Sequence, residues 1–362
     1  MSYYILPKNN NTVEVCPCSS LEPITPFLSY SFLAYYVDIK QQIVEMFACD
    51  QEDAHTLEEA IRLINPYEFI FSKVPGSKFS VSKLKPSTNL FYDLYEILNN
   101  TNLLDSFADQ SMTSLHLSRC SDDSVECFEM FREGQTNETH TRAEVTDDEA
   151  QTNAYHYLFV DSPLEEEADD HSYFVYLVKV LITLLRGQAF SGHAIIKVRE
   201  TMHKPVLDFV YLLSSLYDKV YLTKPNTNNI TTLDRYLVCK SFQHGESSLT
   251  YLKMNVVRLI VFLRKLEEGH HIHRLIDGDI PYYFKNKMDD LNIIIGQQQI
   301  EALDQIISLF KNKNKGDKIE NLKKSNIQKS VHWCEKHKIP CNKFAEKINI
   351  FLPLQEESEE LR

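Results

Sequence analysis

Short apolar runs alternate with helix-period segments through the middle of the chain. Gly192-His193-Ala194-Ile195-Ile196-Lys197-Val198 reads as a short strand with a lysine near its end. A helix-period segment from Val206 to Tyr217 follows, then a strand at Lys219 to Leu222, a Pro/Asn-rich loop, and a strand from Asp234 to Lys240. Upstream, Ser114 to Leu117 and Tyr157 to Asp161 read as further strands. Strands near 114–117, 157–161, 192–198, 219–223 and 235–241 are expected to pair in one sheet, with right-handed helical crossovers between the parallel members. The last should be antiparallel, because its connection is too short for a crossover.

The helical patterns bound the rest. Phe174, Leu177, Leu181 and Leu184 recur at helical spacing within Tyr173 to Leu185, a run too short to span a bilayer and interrupted by Lys179. It is expected to pack on the sheet. Phe32 to Phe47, residues 65 to 113, Lys253 to Leu266 and Gly296 to Phe310 also read as helical, with Asp279 as an N-cap ahead of Pro281. Arg132 to Asn153 is polar and has neither period, so it reads as a loop or a disordered segment. No internal repeat stands out.

The run from 190 to 240 resembles the FtsJ/RrmJ-type RNA ribose methyltransferases, and within them most resembles the metazoan cap-specific enzymes acting on the second transcribed nucleotide. In that family a strand G-G-x-F-V-x-K supplies a lysine and a hairpin F-K-P-x-x-S-x-x-x-S-E-x-Y-x-V-C supplies a glutamate. Lys197 matches the lysine, Thr223-Lys224-Pro225 the loop start, and Asp234 stands at the glutamate position. Asp161 ends the strand that completes the group, and Phe91 to Leu98, containing Asp93, resembles the family helix. The likeness covers about residues 65 to 310 and is weaker before 155. It implies an α/β fold: a reduced Rossmann-like methyltransferase domain at 114–245, a largely helical N-terminal region at 1–113 and a helical C-terminal extension at 246–362.

A ribose 2′-hydroxyl is a poor nucleophile, so its deprotonation needs a lysine of lowered pKa tuned by neighbouring charges. The family tetrad is Lys-Asp-Lys-Glu; here the matching positions read Asp93, Asp161, Lys197 and Asp234. Three carboxylates around one lysine raise its pKa, the wrong direction for a base. The donor loop departs as well. The family form L-C-E-A-P-G-x-F has its counterpart in Leu117-Ser118-Arg119-Cys120-Ser121-Asp122, with Ser121 at the proline and Asp122 at the glycine. Glycine there lets backbone approach S-adenosylmethionine, and an aspartate side chain is expected to occupy that space with the wrong charge for the donor carboxylate. The two strands expected next, one of them contacting adenosine, have no counterpart in the polar stretch up to Asn153.

Charge agrees with these losses. The chain has a formal net charge of -13, and Asp122 to Asp170 holds sixteen carboxylates against Arg132 and Arg142. RNA clefts need the opposite sign, although an acidic run such as Glu165 to Asp170 also serves simply as a solvated loop. Lys311 to Lys347 is the counterweight, with eleven lysines and four carboxylates. It reads either as a solvated helical tail or as a surface for nucleic acid or an acidic partner; Trp333 and Phe344 offer little for base stacking.

Eight scattered cysteines suit a reducing compartment, cytoplasmic or nuclear, and Met1-Ser2-Tyr3-Tyr4 carries no signal-peptide pattern. Cys16-Pro17-Cys18 is too closely spaced for a zinc knuckle; His332, Cys334, His337 and Cys341 read as packed-helix residues, and His270, His271 and His273 as loop or helix-surface residues. Two readings remain open. One is a catalytically inactive relative without a cofactor, serving as a structural or protein-binding subunit of a virion or of a transcription or capping complex; low glycine content fits a fast-evolving viral gene. The other is an active S-adenosylmethionine-dependent methyltransferase of capped RNA with Lys197 as base. Neither involves a membrane.

Overall fold

The computed structural model describes residues 3–48, 54–135, 138–142, 154–162, 169–312 and 316–342. In chain order the elements are β1 (Tyr3–Ile5), β2 (Val15–Ser20), α1 (Tyr30–Ala48), α2 (Ala54–Ile64), α3 (Leu90–Thr101), β3 (Thr113–Leu117), α4 (Ser121–Phe131), β4 (Thr139–Arg142) and β5 (Tyr155–Val160). There follow α5 (Asp170–Gly187), β6 (Gln188–Val198), α6 (Lys204–Leu216), β7 (Tyr217–Thr223), β8 (Arg235–Phe242), α7 (Leu249–Lys265), β9 (His271–Ile276), α8 (Tyr282–Lys311) and α9 (Gly316–Lys336).

Seven strands form one sheet in the order β1, β7, β8, β6, β5, β3, β4. β4, β3, β5 and β6 are parallel, while β8 is antiparallel to both β6 and β7. The five expected strands pair as anticipated. Alternation along each strand sends residues to two covered faces. Leu158, Val160, Ala194 and Ile196 meet the side chains of α5 and α6, whereas Tyr157, Phe159, Ile195 and Tyr236 meet α3 and α4. Lys197, two residues beyond Ile195, therefore projects to the α3 face. Asp169 caps α5 by accepting from the Ser172 amide at 2.8 Å, and Pro205 occupies the first turn of α6, where no amide hydrogen is needed.

Several expectations are corrected. Within the stretch from Arg132 taken as loop, β4 forms a parallel edge strand on β3. Its four residues Thr-His-Thr-Arg carry no apolar alternation, because its partners are backbone groups and polar side chains: Ser114 Oγ lies 2.8 Å from His140 Nδ1. Residues 143–153 and Glu165 to Ala168 of the acidic run, together with Phe344, lie outside the described residues. Residues 65–113 hold a single α-helix, α3, with one-turn 3-10 segments at Glu68–Ile70 and Asp105–Phe107; elsewhere Pro, Gly and Ser keep the backbone irregular. Asp279 is not the N-cap of α8, which starts after Pro281. His271 and His273 lie in β9, which pairs with β2 in a second, two-stranded sheet containing Cys16 and Cys18. Among the described residues no helix is long and apolar enough to cross a membrane, and no group of three or more His, Cys, Asp or Glu side chains is placed to hold a metal ion.

The β5/β6 register shifts between Tyr155 and Tyr157, and Gly192 sits in the resulting bulge. A Cβ there would approach the Ala189 and His156 carbonyl oxygens to 2.9 Å each. Gly192→Ala is expected to cost about 1–3 kcal/mol, because backbone on both strands must move; equilibrium urea unfolding would measure it.

Candidate active site

The site lies at the C-terminal ends of β5 and β6, where the parallel strands open toward the loop joining β7 to β8. Lys197 reaches Asp234 Oδ2 at 3.3 Å and Asp161 Oδ1 at 3.7 Å. Asp161 is fixed by extending the sheet: its amide donates to the Leu117 carbonyl at 2.8 Å. Asp234 precedes β8 and also pairs with Lys224, whose ammonium lies 3.2 Å from Asp234 Oδ1. Lys224 further donates to the carbonyls of Thr232 and Asp234 at 3.0 and 2.9 Å and to Asn228 Oδ1.

Asp93, on α3, joins from the other side. It is 3% exposed and accepts from Thr227 Oγ1 at 2.6 Å, from Asn228 Nδ2 at 2.9 Å and from the Tyr236 hydroxyl at 2.9 Å. Lys197 lies over the Tyr236 ring, 5.9 Å from its centre, so the tyrosine links the lysine to Asp93. The four tetrad positions thus converge, but Asp93 bonds to neutral groups and not to Lys197. Lys224, read from sequence only as a loop residue, is the member that sequence reasoning missed; its distance in sequence from Lys197 hid it, and only the hairpin closure brings it in.

The protonation states follow from burial and charge. Burial pushes the Asp93 carboxyl up to about 6, its three donors only partly offsetting the loss of water. Burial alone would lower the Lys197 ammonium, but Asp234, Asp161 and Asp93 outweigh it and raise it above the ordinary lysine value. Asp161 is raised, first by burial and then by Asp234 against the opposing pull of Lys197. Asp234, despite burial, is held well below the usual carboxylate range by Lys224 and Lys197. Burial lowers Lys224.

At the expected donor loop, the Ser118 hydroxyl accepts from the Cys120 amide at 3.0 Å and α4 starts at Ser121. Asp122 does not fill the loop as expected: its side chain is 81% exposed and pairs with Arg142 of β4 at 2.7 Å. The buried acid is its neighbour. Asp123 accepts from the Ser87 and Thr88 amides at 2.8 and 2.6 Å and from the Thr88 hydroxyl, tying the segment before α3 to the first turn of α4. Below it, His116 is fully buried between Ser114 and Ser124, with burial pushing it down to about 3 and keeping it neutral. Cys334 and His337 are buried against α3, while His332 is exposed and Cys341 half-buried.

An α/β sheet with a terminal antiparallel hairpin and an Asp-Lys-Asp group at its opening resembles the scaffold of FtsJ-like methyltransferases. The comparisons with known proteins agree in one stretch. Cap-specific mRNA (nucleoside-2′-O-)-methyltransferase 2 of Mus musculus is 25% identical over 171 residues, 46% of this chain and 21% of that protein. The chain thus matches about a fifth of its relative's length, and through that segment it is related to the cap 2′-O-methyltransferases. A structure described as a ribosomal RNA methyltransferase from Plasmodium falciparum covers 44% of this chain and 99% of its own, at 14% identity and a TM-score of 0.34. Human N-acetylserotonin methyltransferase covers 59% and 68%, at 12% identity and a TM-score of 0.23. No family model matches the chain.

Asp93 offers a test of the site's electrostatics. With a folded pKa of about 6 against about 3.9 unfolded, its contribution to stability is fully present below pH 4 and is lost as pH rises through 6. Asp93→Asn removes that dependence. The melting temperature of the variant relative to the unaltered chain should therefore rise between pH 4 and pH 7.5; a pH-independent difference in thermal melts would contradict the assignment.

Proposed function

We propose that this chain is a catalytically inactive relative of the cap 2′-O-ribose methyltransferases and serves as a protein-binding or structural subunit of a larger assembly. The placement of Lys197 between the carboxylates of Asp234 and Asp161, at 3.3 and 3.7 Å, carries this reading. A general base must shed its proton near neutral pH, and an ammonium raised by Asp234, Asp161 and Asp93 keeps it. Lys224 does not replace it: its ammonium is committed to the loop between β7 and β8. The first turn of α4, where a donor carboxylate would be received, carries Asp122 and Asp123 and already has its acid bound by the segment before α3. On this reading S-adenosylmethionine is not a ligand.

The second reading, an active methyltransferase of capped RNA using S-adenosylmethionine, is favoured by one observation: Asp161, Lys197 and Asp234 converge at one opening, and the Lys197 side chain is 27% exposed. A substrate that displaced water and carboxylate contacts there would meet the lysine directly.

Two measurements separate the readings. Isothermal calorimetry should give no S-adenosylmethionine binding at sub-millimolar concentration; a micromolar isotherm abolished by changes at 118–123 would contradict the proposal. Lys197→Ala should destabilise the fold by about 1–3 kcal/mol, less than for a fully buried pair because Lys197 is partly exposed and Lys224 still neutralises Asp234. Purified chain that methylates capped RNA, together with a well-folded Lys197→Ala variant that does not, would establish the enzyme instead.

A further inference from the structure

Far from the tetrad lysine in sequence, residues 69–92 carry Lys73, Lys78, Lys83 and Lys85 and no carboxylate, in a chain of net charge -13. All four lysines are exposed, and so are Phe71 and Phe79. The segment is joined to the end of the basic C-terminal region. The Lys83 amide donates to the Pro340 carbonyl, the Asn342 amide to the Val81 carbonyl, both at 2.8 Å, and Ser82 and Cys341 form a β-bridge. Residues 316–342 add six lysines against Asp317, Glu320 and Glu335. The two stretches, remote in sequence, are thus joined at residues 81–83 and 340–342, and Lys73 of one and Lys323 of the other border a common cavity.

The cavity, of about 680 Å³, is walled by Phe47, Leu63, Phe69 and Phe310 and bordered by Lys73 of the segment and Lys323 of α9. Its volume lies in the range of ligand clefts, about 300–1,000 Å³, and leaves room for large apolar side chains. Arg62 also lines it but is paired with Glu58, and Lys323 is paired with Glu320. Glu59 and Glu68 lie on the same wall, and Ser72 donates to Glu68.

We propose that this surface docks an acidic protein segment whose large apolar side chain enters the cavity while its flanking carboxylates meet Lys73, Lys78, Lys83 and Lys85. The lysines select negative charge and the cavity selects an apolar anchor. Glu59 and Glu68 decide against nucleic acid, because a continuous phosphate backbone meets them as readily as the lysines, whereas a peptide places an uncharged residue there. The inference rests on the reading of the chain as a binding subunit and names its partner class. Its test reads neither donor binding nor methyl transfer, so the two fail separately.

The full chain would be titrated, by fluorescence anisotropy, into a labelled peptide carrying a Leu-Phe pair between two runs of three glutamates. Saturable binding is expected. Replacing Leu-Phe by Ser-Ser, or making Lys73→Glu/Lys78→Glu in the protein, should each weaken it at least roughly tenfold. The two lysines are exposed, so an unchanged thermal melt would establish that the variant is folded. No saturation by about 1 mM, equal binding of the serine peptide, or displacement of the peptide by a 20-nucleotide poly-uridine RNA would each overturn the proposal, the last assigning the surface to nucleic acid.

Discussion

Asp234 holds two ammonium groups at once, and the geometry of the whole opening depends on that carboxylate. Lys197 comes from β6 and Lys224 from the end of β7, while Asp234 itself leads into β8. Three strands are thereby fixed at the edge where their backbone hydrogen bonding ends. Removing any of these charges from water is costly, and the cost is met only when partners and hydrogen bonds are complete. The loop between β7 and β8 supplies them: Asn228 donates to both Asp234 and Asp93, and Thr232 donates to Asp234 and presents its carbonyl to Lys224. An irregular loop is thus held by a polar network as closely as an apolar core would hold a helix.

The network also sets what the opening can do. Two lysines face three aspartates, and Asp93 is the carboxyl surrounded by hydroxyl and amide donors and not by cations, so burial pushes it up to about 6. Asp234 stays ionised because it has both lysines. Lys197 is the charged partner of Asp234 and Asp161, whose carboxylates raise it against the effect of burial.

The sheet was legible because its five central strands are short apolar runs buried on both faces, and such runs keep their identity whatever surrounds them. β4 was not, since Thr-His-Thr-Arg is held by backbone pairing and by His140 against Ser114, neither of which leaves an apolar pattern. β9 was hidden for a similar reason: His271, His273 and Arg274 interrupt an alternation whose buried members are Ile272, Leu275 and Ile276. At the site, the structure brings Asp161, Lys197 and Asp234 together, whereas Asp122 stands in solvent against Arg142. A helix start turns successive side chains by about 100°, so adjacent acids reach opposite environments, and it is Asp123 that turns inward.

The same polar edge explains how the C-terminal region is placed. Glu96, fully buried on α3 one turn beyond Asp93, accepts from the amide and side chain of Asn226 and from Trp333 Nε1, each at 3.0 Å. One carboxylate therefore joins the loop between β7 and β8 to α9. Trp333 packs in the same place against Tyr92 and Tyr95, adding apolar area to the charge contact. α9 is anchored here by Trp333, and the chain after it by Asn342 against Val81, so Lys323 of α9 and Lys73 border the same cavity. One scaffold thus carries both features: α3 turns the carboxylates of Asp93 and Glu96 inward to hold the hairpin loop and α9, and the lysines of this region stand on the outside.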